Sequence, residues 1–442
     1  MSSTRLDRYV AAVVHRRWLV AGLATLVMLV VTAGVPLIGV TNDYRSLFDE
    51  DNPQLLALDA LEATYATSST ALIAIAPREG SVFTRETLGA IEELTEAAWS
   101  APWSTRVDSL TNYTHSEGLE DDLIVEPLVE DAHSLDDAEL GRIENIALNA
   151  AELAGRLVSH DGRVGGLAIN FVLPEDPDAA VVEITDYLDG LLDEARAKHS
   201  DLAYYLTGDV VMNRVFADTT KDEMETLVPL VFLIIVVVSA LLLRSVLGTL
   251  ALVVVLVFVI NTTMGFAGWT GTVFNPANSG VPIIVMTVAV AHSVHIVAGA
   301  LAGMSEGLER NEAVARSLRS NAWPVFLTTL TTAIGFLSLN ASDSPPFQVL
   351  GNLVAFGVLC AFLYSMTLLP ALLSILPMRA PSRRAGDAGF FDRFGAFVVE
   401  RHRVLLWSVA VLAAVMVLGI SRIELTDNWT RYFDERYEFR RD

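Results

Sequence analysis

Seven apolar stretches divide this 442-residue chain: Trp18–Val40, Leu227–Leu243, Val246–Trp269, Val281–Gly303, Pro324–Leu339, Val349–Leu373 and Val404–Ile420. Helical runs of about 17–25 apolar residues match the thickness of a bilayer's hydrocarbon core. In lipid each backbone N–H and C=O must be satisfied internally, so such runs commit the chain to spanning helices. The first run is too long for an ordinary signal-peptide core and shows no clear small-x-small cleavage site, so it is expected to persist as a span.

The connections alternate in charge, which sets an orientation. "HRRW", "LLLRSV", the linker with Arg310, Arg316 and Arg319, and "RAPSRR…ERHR" are basic, whereas "GWTGTVFNPANSG" and "LNASDSPPFQ" hold no Lys or Arg. Basic loops stay in the cytoplasm, which puts residues 41–226 on the other side. That insert holds 39 acidic and 11 basic residues, a net of −28, against +5 for the rest of the chain. The acidity is therefore confined to one extracytoplasmic segment, and nucleic acid is excluded as a partner. The lone Cys360 rules out an intrachain disulfide.

A repeat appears at a separation of 385 residues. "LDRYVAAVVHRRW" from Leu6 returns as "FDRFGAFVVERHR" from Phe391, and after an apolar run "VTNDYRSLFDE" returns as "LTDNWTRYFDE". The expectation is one half of a duplicated protein plus the opening of the second half. Each copy begins with an amphipathic stretch, with Leu6, Tyr9, Val10, Val13 and Val14 at helical spacing. Such a helix would lie along the cytoplasmic interface.

Within residues 41–226, strand-like alternation in "TALIAIAP", "STRVDSLTNY", "RVGGLAINFVLP" and "LAYYLTGD" is interleaved with helical spacing. The helical pieces are "TRETLGAIEELTEAAWS", "DDAELGRIENIALNAAELAGRLVS" and "AAVVEITDYLDGLLDEARAKH". Two strand–helix–strand units predict a split βαβ, porter-like α+β domain. The acidic stretch "EGLEDDLIVEPLVEDAHSLDDAE" is expected to be a solvated surface. No calcium loop, zinc spacing, nucleophile elbow or phosphate-binding glycine loop occurs, so neither an enzyme nor a cofactor or metal site is expected.

"LFDEDNPQLLALDALEATYATSSTALIAI", "LAGRLVSHDGRVGGLAINF", "YYLTGDVVMNRVFADTTKDEM", "LTDNWTRYFDERYEFRRD" and above all "NAWPVFLTTLTTAIGFLSLNASDSPPFQVLGNLVAFGVLCAFLYSMTLLPALL" carry a resemblance. The chain resembles the resistance-nodulation-division (RND) superfamily, in particular its MMPL-like exporters. Residues 227–373 also resemble the five-span sterol-sensing-type block of Patched-like proteins. The resemblance implies two six-span halves, a porter domain after the first span of each, and proton-driven export of lipids or other hydrophobic molecules. It further implies an acidic residue in the fourth span, within a pattern like A-D-S-[IV]-H-I, that takes part in a proton relay. Here the matching stretch reads "AHSVHI", so His292 stands in the aspartate's place beside Ser293 and His295.

No Asp or Glu lies in any of the seven runs. Histidine titrates near neutral pH and can replace a carboxylate as a proton carrier. Residues three apart on a helix project within about 60° of each other, so His292 and His295 are expected to share one polar seam. Asn261, Thr262 and Thr263 on the third span and Thr328, Thr329, Thr331 and Thr332 on the fifth are its candidate lining. Two alternatives stand beside this: neutral histidines packing between helices, or a two-ligand metal site, which makes a poor cage. Pro324 is expected to open the fifth span and Pro370 to loosen the sixth. Gly335, Gly351 and Gly357 are expected to permit close helix crossing, and Trp18, Trp269 and Trp407 to anchor at interfaces.

The expected organisation follows: a cytoplasmic amphipathic helix at 1–17, a first span at 18–40, the porter-like domain at 41–226 and a five-span block at 227–373. After it come a cytoplasmic linker with a second amphipathic helix at 374–403, a seventh span at 404–420 and the start of a second porter domain at 421–442. Such a chain would be a multi-pass protein of the bacterial inner membrane, exporting a hydrophobic small molecule or lipid. Membrane lipids and a second half or second copy would be its partners. A non-transporting lipid- or sterol-sensing regulator and an auxiliary of protein translocation are the alternatives.

Overall fold

The computed structural model describes residues 3–41, 43–49, 51–65, 69–119, 122–174, 177–378 and 390–423. In chain order its helices are α1 (Ser3–His15), α2 (Arg17–Thr32), α3 (Pro53–Tyr65), α4 (Arg85–Ala98), α5 (Asp137–Asn149), α6 (Pro177–Lys198), α7 (Asp209–Asp222) and α8 (Val228–Leu243). They continue as α9 (Val246–Trp269), α10 (Val281–Ser305), α11 (Arg310–Leu337), α12 (Pro345–Met366), α13 (Leu368–Ile375), α14 (Phe390–Glu400) and α15 (His402–Gly419). The strands are β1 (Gly39–Val40), β2 (Ser69–Pro77), β3 (Ser104–Ser109), β4 (Thr114–Leu119), β5 (Asp122–Pro127), β6 (Gly165–Phe171), β7 (Leu202–Thr207) and β8 (Val273–Phe274).

The described residues are mostly helical, and among them seven helical segments are long and apolar enough to cross a membrane. They run Arg17–Leu37, Asp209–Leu243, Val246–Trp269, Val281–Ser305, Arg310–Ala341, Pro345–Ile375 and His402–Arg422. Two begin more than a dozen residues before the apolar run does. Pro324 does not open the fifth span but lies inside α11, fourteen residues after its start at Arg310. Polar residues fill those first turns, so hydropathy alone stops at the membrane boundary while the helix does not. Likewise α7 passes through a π-helical turn, Glu223–Leu227, into α8 without a break.

The bundle core is built from α9, α10 and α12, whose buried faces carry Val255, Val259, Val285, Ala289, Ile296, Val354, Val358 and others. These three helices bury the largest share of their span residues, whereas no span residue of α15 is buried. Glycine sets the closest approach. A Cβ on Gly265 would collide with the Val31 carbonyl, and one on Gly268 with the Gly34 carbonyl, so α2 and α9 touch backbone to backbone. Gly357 plays the same part between α12 and the other core helices: a Cβ there would fall 2.6 Å from Val285 and 2.9 Å from Thr263.

Below this core, α1 packs its buried Val10, Val13 and Val14 against α11 and α13. Tyr9 donates its hydroxyl to the Met366 carbonyl at 2.9 Å. Met366 precedes Pro370 by four residues, so the missing proline N–H leaves that carbonyl without its helical partner. Tyr9 supplies the replacement, and burial pushes its own phenol up to about 12. Arg17 and Arg310 donate to the carbonyls of Ser374 and Leu376, which end α13, and Arg319 pairs with Asp7 at 2.7 Å.

A second core lies between residues 71 and 211. Its sheet has the order β3-β6-β2-β7 with each neighbouring pair antiparallel, and α4 and α6 lie against it. Inward-facing Ile73, Ile75, Leu167, Ile169 and Phe171 meet Leu88, Ile91, Ile184 and Leu188. The helix expected to run to Ser159 ends at Asn149, and residues 151–164 turn back through short bridges instead. Part of the acidic stretch forms the hairpin β4–β5, and its Glu126, Glu130, Asp131, Asp136, Asp137 and Glu139 are exposed, as expected of a solvated surface. The second copy's "LTDNWTRYFDE" lies outside the described residues.

Candidate functional site

Helix α10 buries one stripe, through Val285, Ala289, His292, Ile296 and Ala300, flanked by Met286, Ser293 and Val297. This is the 3.6-residue period of a helix packed on one side. Its neighbours across that stripe are α9, α11 and α12. Apart from the two histidines, α9, α10 and α12 carry no ionisable side chain other than Cys360 and Tyr364.

His292 is 2 % exposed, and neither Nδ1 nor Nε2 has a hydrogen-bond partner among the described residues. A neutral imidazole presents one donor and one acceptor. Leaving both unpaired inside a packed core is unusual, because buried polar groups nearly always find a partner. Such a ring is a ready point of exchange for a proton or for a polar group that reaches it. Ionisable residues within membrane bundles mark such paths more often than chance allows.

His295 does not join it. The residue is exposed, on the stripe Thr287, Ala291, His295, Ala298, whereas His292 is buried. The 60° between the two rings is enough to carry one into the core and leave the other at its edge.

The other candidates divide in the same way. Thr262 and Thr263 are buried on α9, but Asn261 is half-buried and donates to the Val257 carbonyl at 2.8 Å. Thr263 is turned back on the Val259 carbonyl at 2.8 Å. On α11 Thr329 alone of the four candidates is buried, and it donates to Val325 at 2.7 Å. Thr328 and Thr331 are exposed and Thr332 half-buried. The seam of seven thus reduces to Thr262, Thr263 and Thr329, two of which spend their donors on their own helices.

Two partners were not anticipated. Tyr364 and Ser365, both buried on α12, face the candidate residues: the Tyr364 and Thr262 hydroxyls lie 2.9 Å apart, and those of Ser293 and Ser365 3.4 Å. The second spacing is long for an O–H···O bond. Phe258 meets the Tyr364 ring edge-on at 5.7 Å, fixing its direction. The signal for them was present in "FLYSM", two adjacent hydroxyl residues in an apolar run. No group of three or more His, Cys, Asp or Glu side chains that could hold a metal ion occurs among the described residues.

Comparison with known proteins bears on this arrangement. The model of the MMPL family matches residues 103–405. A membrane protein of Methanocaldococcus jannaschii is 21% identical over 169 residues, which cover 38% of this chain and 44% of that relative. The match therefore spans less than half of the relative's length.

Proposed function

Since the chain belongs to the MMPL family, whose members are transporters rather than enzymes, we propose that this multi-pass membrane protein exports lipids or other hydrophobic molecules in exchange for protons. In this reading His292 carries the proton. The observation that supports it is a buried imidazole, unpaired at both nitrogens, at the centre of the packed face of α10. A membrane interior makes a fixed charge costly, so protonation there would drive the bundle toward an arrangement that supplies a counter-charge.

Residues 41–226 form the extracytoplasmic, porter-like α+β domain in this reading, the membrane is the bacterial inner membrane, and the basic connections lie in the cytoplasm. The split βαβ order β3-β6-β2-β7 supports the porter-like assignment. Exposed His295, with exposed Thr328 and Thr331, supports a further partner: a second six-span unit, or a second copy, that covers these polar groups from lipid.

The test reconstitutes the full-length protein in vesicles and measures export driven by an imposed pH gradient. His292→Ala and His292→Gln are expected to abolish the gradient's effect, while His295→Ala keeps it. Undiminished coupling in both His292 variants overturns the relay. The absence of any Asp or Glu in the apolar runs favours a second reading, a lipid-sensing regulator without transport. Wild-type protein that binds lipid in those vesicles but moves none under any gradient would select it.

A further inference from the structure

The segment that joins α4 to β3 reads "WSAPW" and holds two tryptophans, Trp99 and Trp103. The first is 51 % exposed and the second 46 %. Large apolar side chains grouped on a surface mark interaction sites, whereas scattered ones need no explanation. Trp103 also has a φ of +63°. In that left-handed region glycine is the ordinary occupant and a bulky side chain is an outlier. A tryptophan kept there serves neither the backbone nor the core, since its ring stays half in solvent. Strain of this kind gathers where a side chain is held for recognition.

The surroundings hold the segment in place. Trp103 Nε1 donates to Glu183 Oε2 at 3.3 Å, and the Val172 N–H donates to the Trp103 carbonyl at 3.2 Å. Tyr187 donates its hydroxyl to the Ala97 carbonyl at 2.9 Å. Buried Ala98 and Ala101 seat the turn between these ties. The segment is thus fastened to α6 and to the end of β6, so its ordering cost is met before any partner arrives. Exposed Val172 and Val182 adjoin the ties and extend the apolar area.

Charge around the rings selects the partner. Exposed Glu96, three residues before Trp99, and exposed Glu183, at the Trp103 indole, supply two carboxylates. The nearest basic residue along the chain, Arg106, is already paired with Asp108 at 2.8 Å. Residues 41–226 carry a net charge of −28. Indole faces attract guanidinium and ammonium groups, and an acidic surface draws basic partners and turns away acidic ones.

We infer that Trp99 and Trp103 form a docking platform for a basic segment of a partner protein, whose Arg or Lys side chains stack on the indoles and pair with Glu96 and Glu183. The inference is independent of the export reading.

The test places the full-length protein in phosphatidylcholine nanodiscs at physiological salt. It is titrated with a fluorescent peptide of alternating Arg and Leu that carries a photo-reactive leucine. Saturable binding by anisotropy is expected, with cross-links in residues 96–103 and 182–183, while a Glu/Leu peptide of equal length does not bind. Trp103→Gly suits the local backbone and Trp99→Ala suits a helix end, so the double variant is expected to keep the wild-type unfolding midpoint. Its charge is unchanged, yet it is expected to bind about tenfold more weakly, the worth of about two cation–π contacts. Glu183→Gln retains an acceptor for the indole and is expected to weaken binding and reduce its dependence on salt. Equal affinity in the wild type and the double variant, or no saturable binding by the wild type, overturns the inference. So does self-association of the wild type that the double variant abolishes, seen by sedimentation, because a second copy is then the occupant. Should the double variant misfold, Trp99→Ala alone and the wild-type cross-link map decide.

Discussion

Tyr364→Phe removes one hydroxyl of the Thr262 pair while preserving the ring against Phe258. A loss of about 0.6–1.7 kcal/mol is expected, the range for hydrogen bonds between membrane helices, read as a lower unfolding midpoint in detergent. Glu93 offers a contrast outside the spans. Lys198 reaches both its carboxylate oxygens, at 2.6 and 2.7 Å, and His199 lies 3.6 Å away. The hydrogen bond from Lys198 holds the Glu93 carboxyl below its ordinary 4.5. A lowered folded-state value means the contribution is complete above about pH 4.5 and disappears as pH falls through the depressed value. Lys198→Met is therefore expected to flatten the acid limb of a stability profile, with little change at pH 7 beyond a surface pair's modest worth. A profile identical to the wild type's would remove that account.

At the scale of elements, backbone contact between α2 and α9 makes Gly265 intolerant of any side chain. Gly265→Val forces the helices apart and is expected to cost about 1–3 kcal/mol or more, measured by thermal unfolding or by loss of folded yield. Tyr9→Phe strands the Met366 carbonyl that Pro370 has already orphaned. Faster hydrogen exchange limited to residues 366–376 is the expected outcome, with distant helices unchanged. Much of this level was legible in the chain. Hydropathy located the seven helical segments apolar enough to span a bilayer because lipid admits few alternatives, and strand alternation marked "TALIAIAP" and "RVGGLAINFVLP" because one face of each is buried. What escaped was set by contacts at long range. Nothing local says that α11 starts at Arg310, that α5 stops at Asn149, or that Tyr9 meets a residue 357 positions away. The site fared in the same way. His292 was visible as a titratable group in an apolar run, but which of seven polar neighbours shared its side of the bundle depended on helix rotation. Rotation is fixed by packing, to which composition is blind.

For the whole molecule the first question is sidedness. In a Cys360→Ala background, Ser100→Cys is expected to react with a membrane-impermeant maleimide on intact cells, and Ser305→Cys only after permeabilisation. Both residues are exposed, so the reagent's reach is set by the membrane alone. The reverse pattern would place the acidic segment in the cytosol and end the exporter proposal. Sidedness in turn gives weight to the helix that joins sheet to span. From Asp209 to Leu243 the 35 residues form one rod about 52 Å long. Tilting a rod of that length by about 5° sweeps its far tip through about 4–5 Å. The π-helical turn at Glu223–Leu227 is the joint at which torsion between its two ends would be absorbed or passed on.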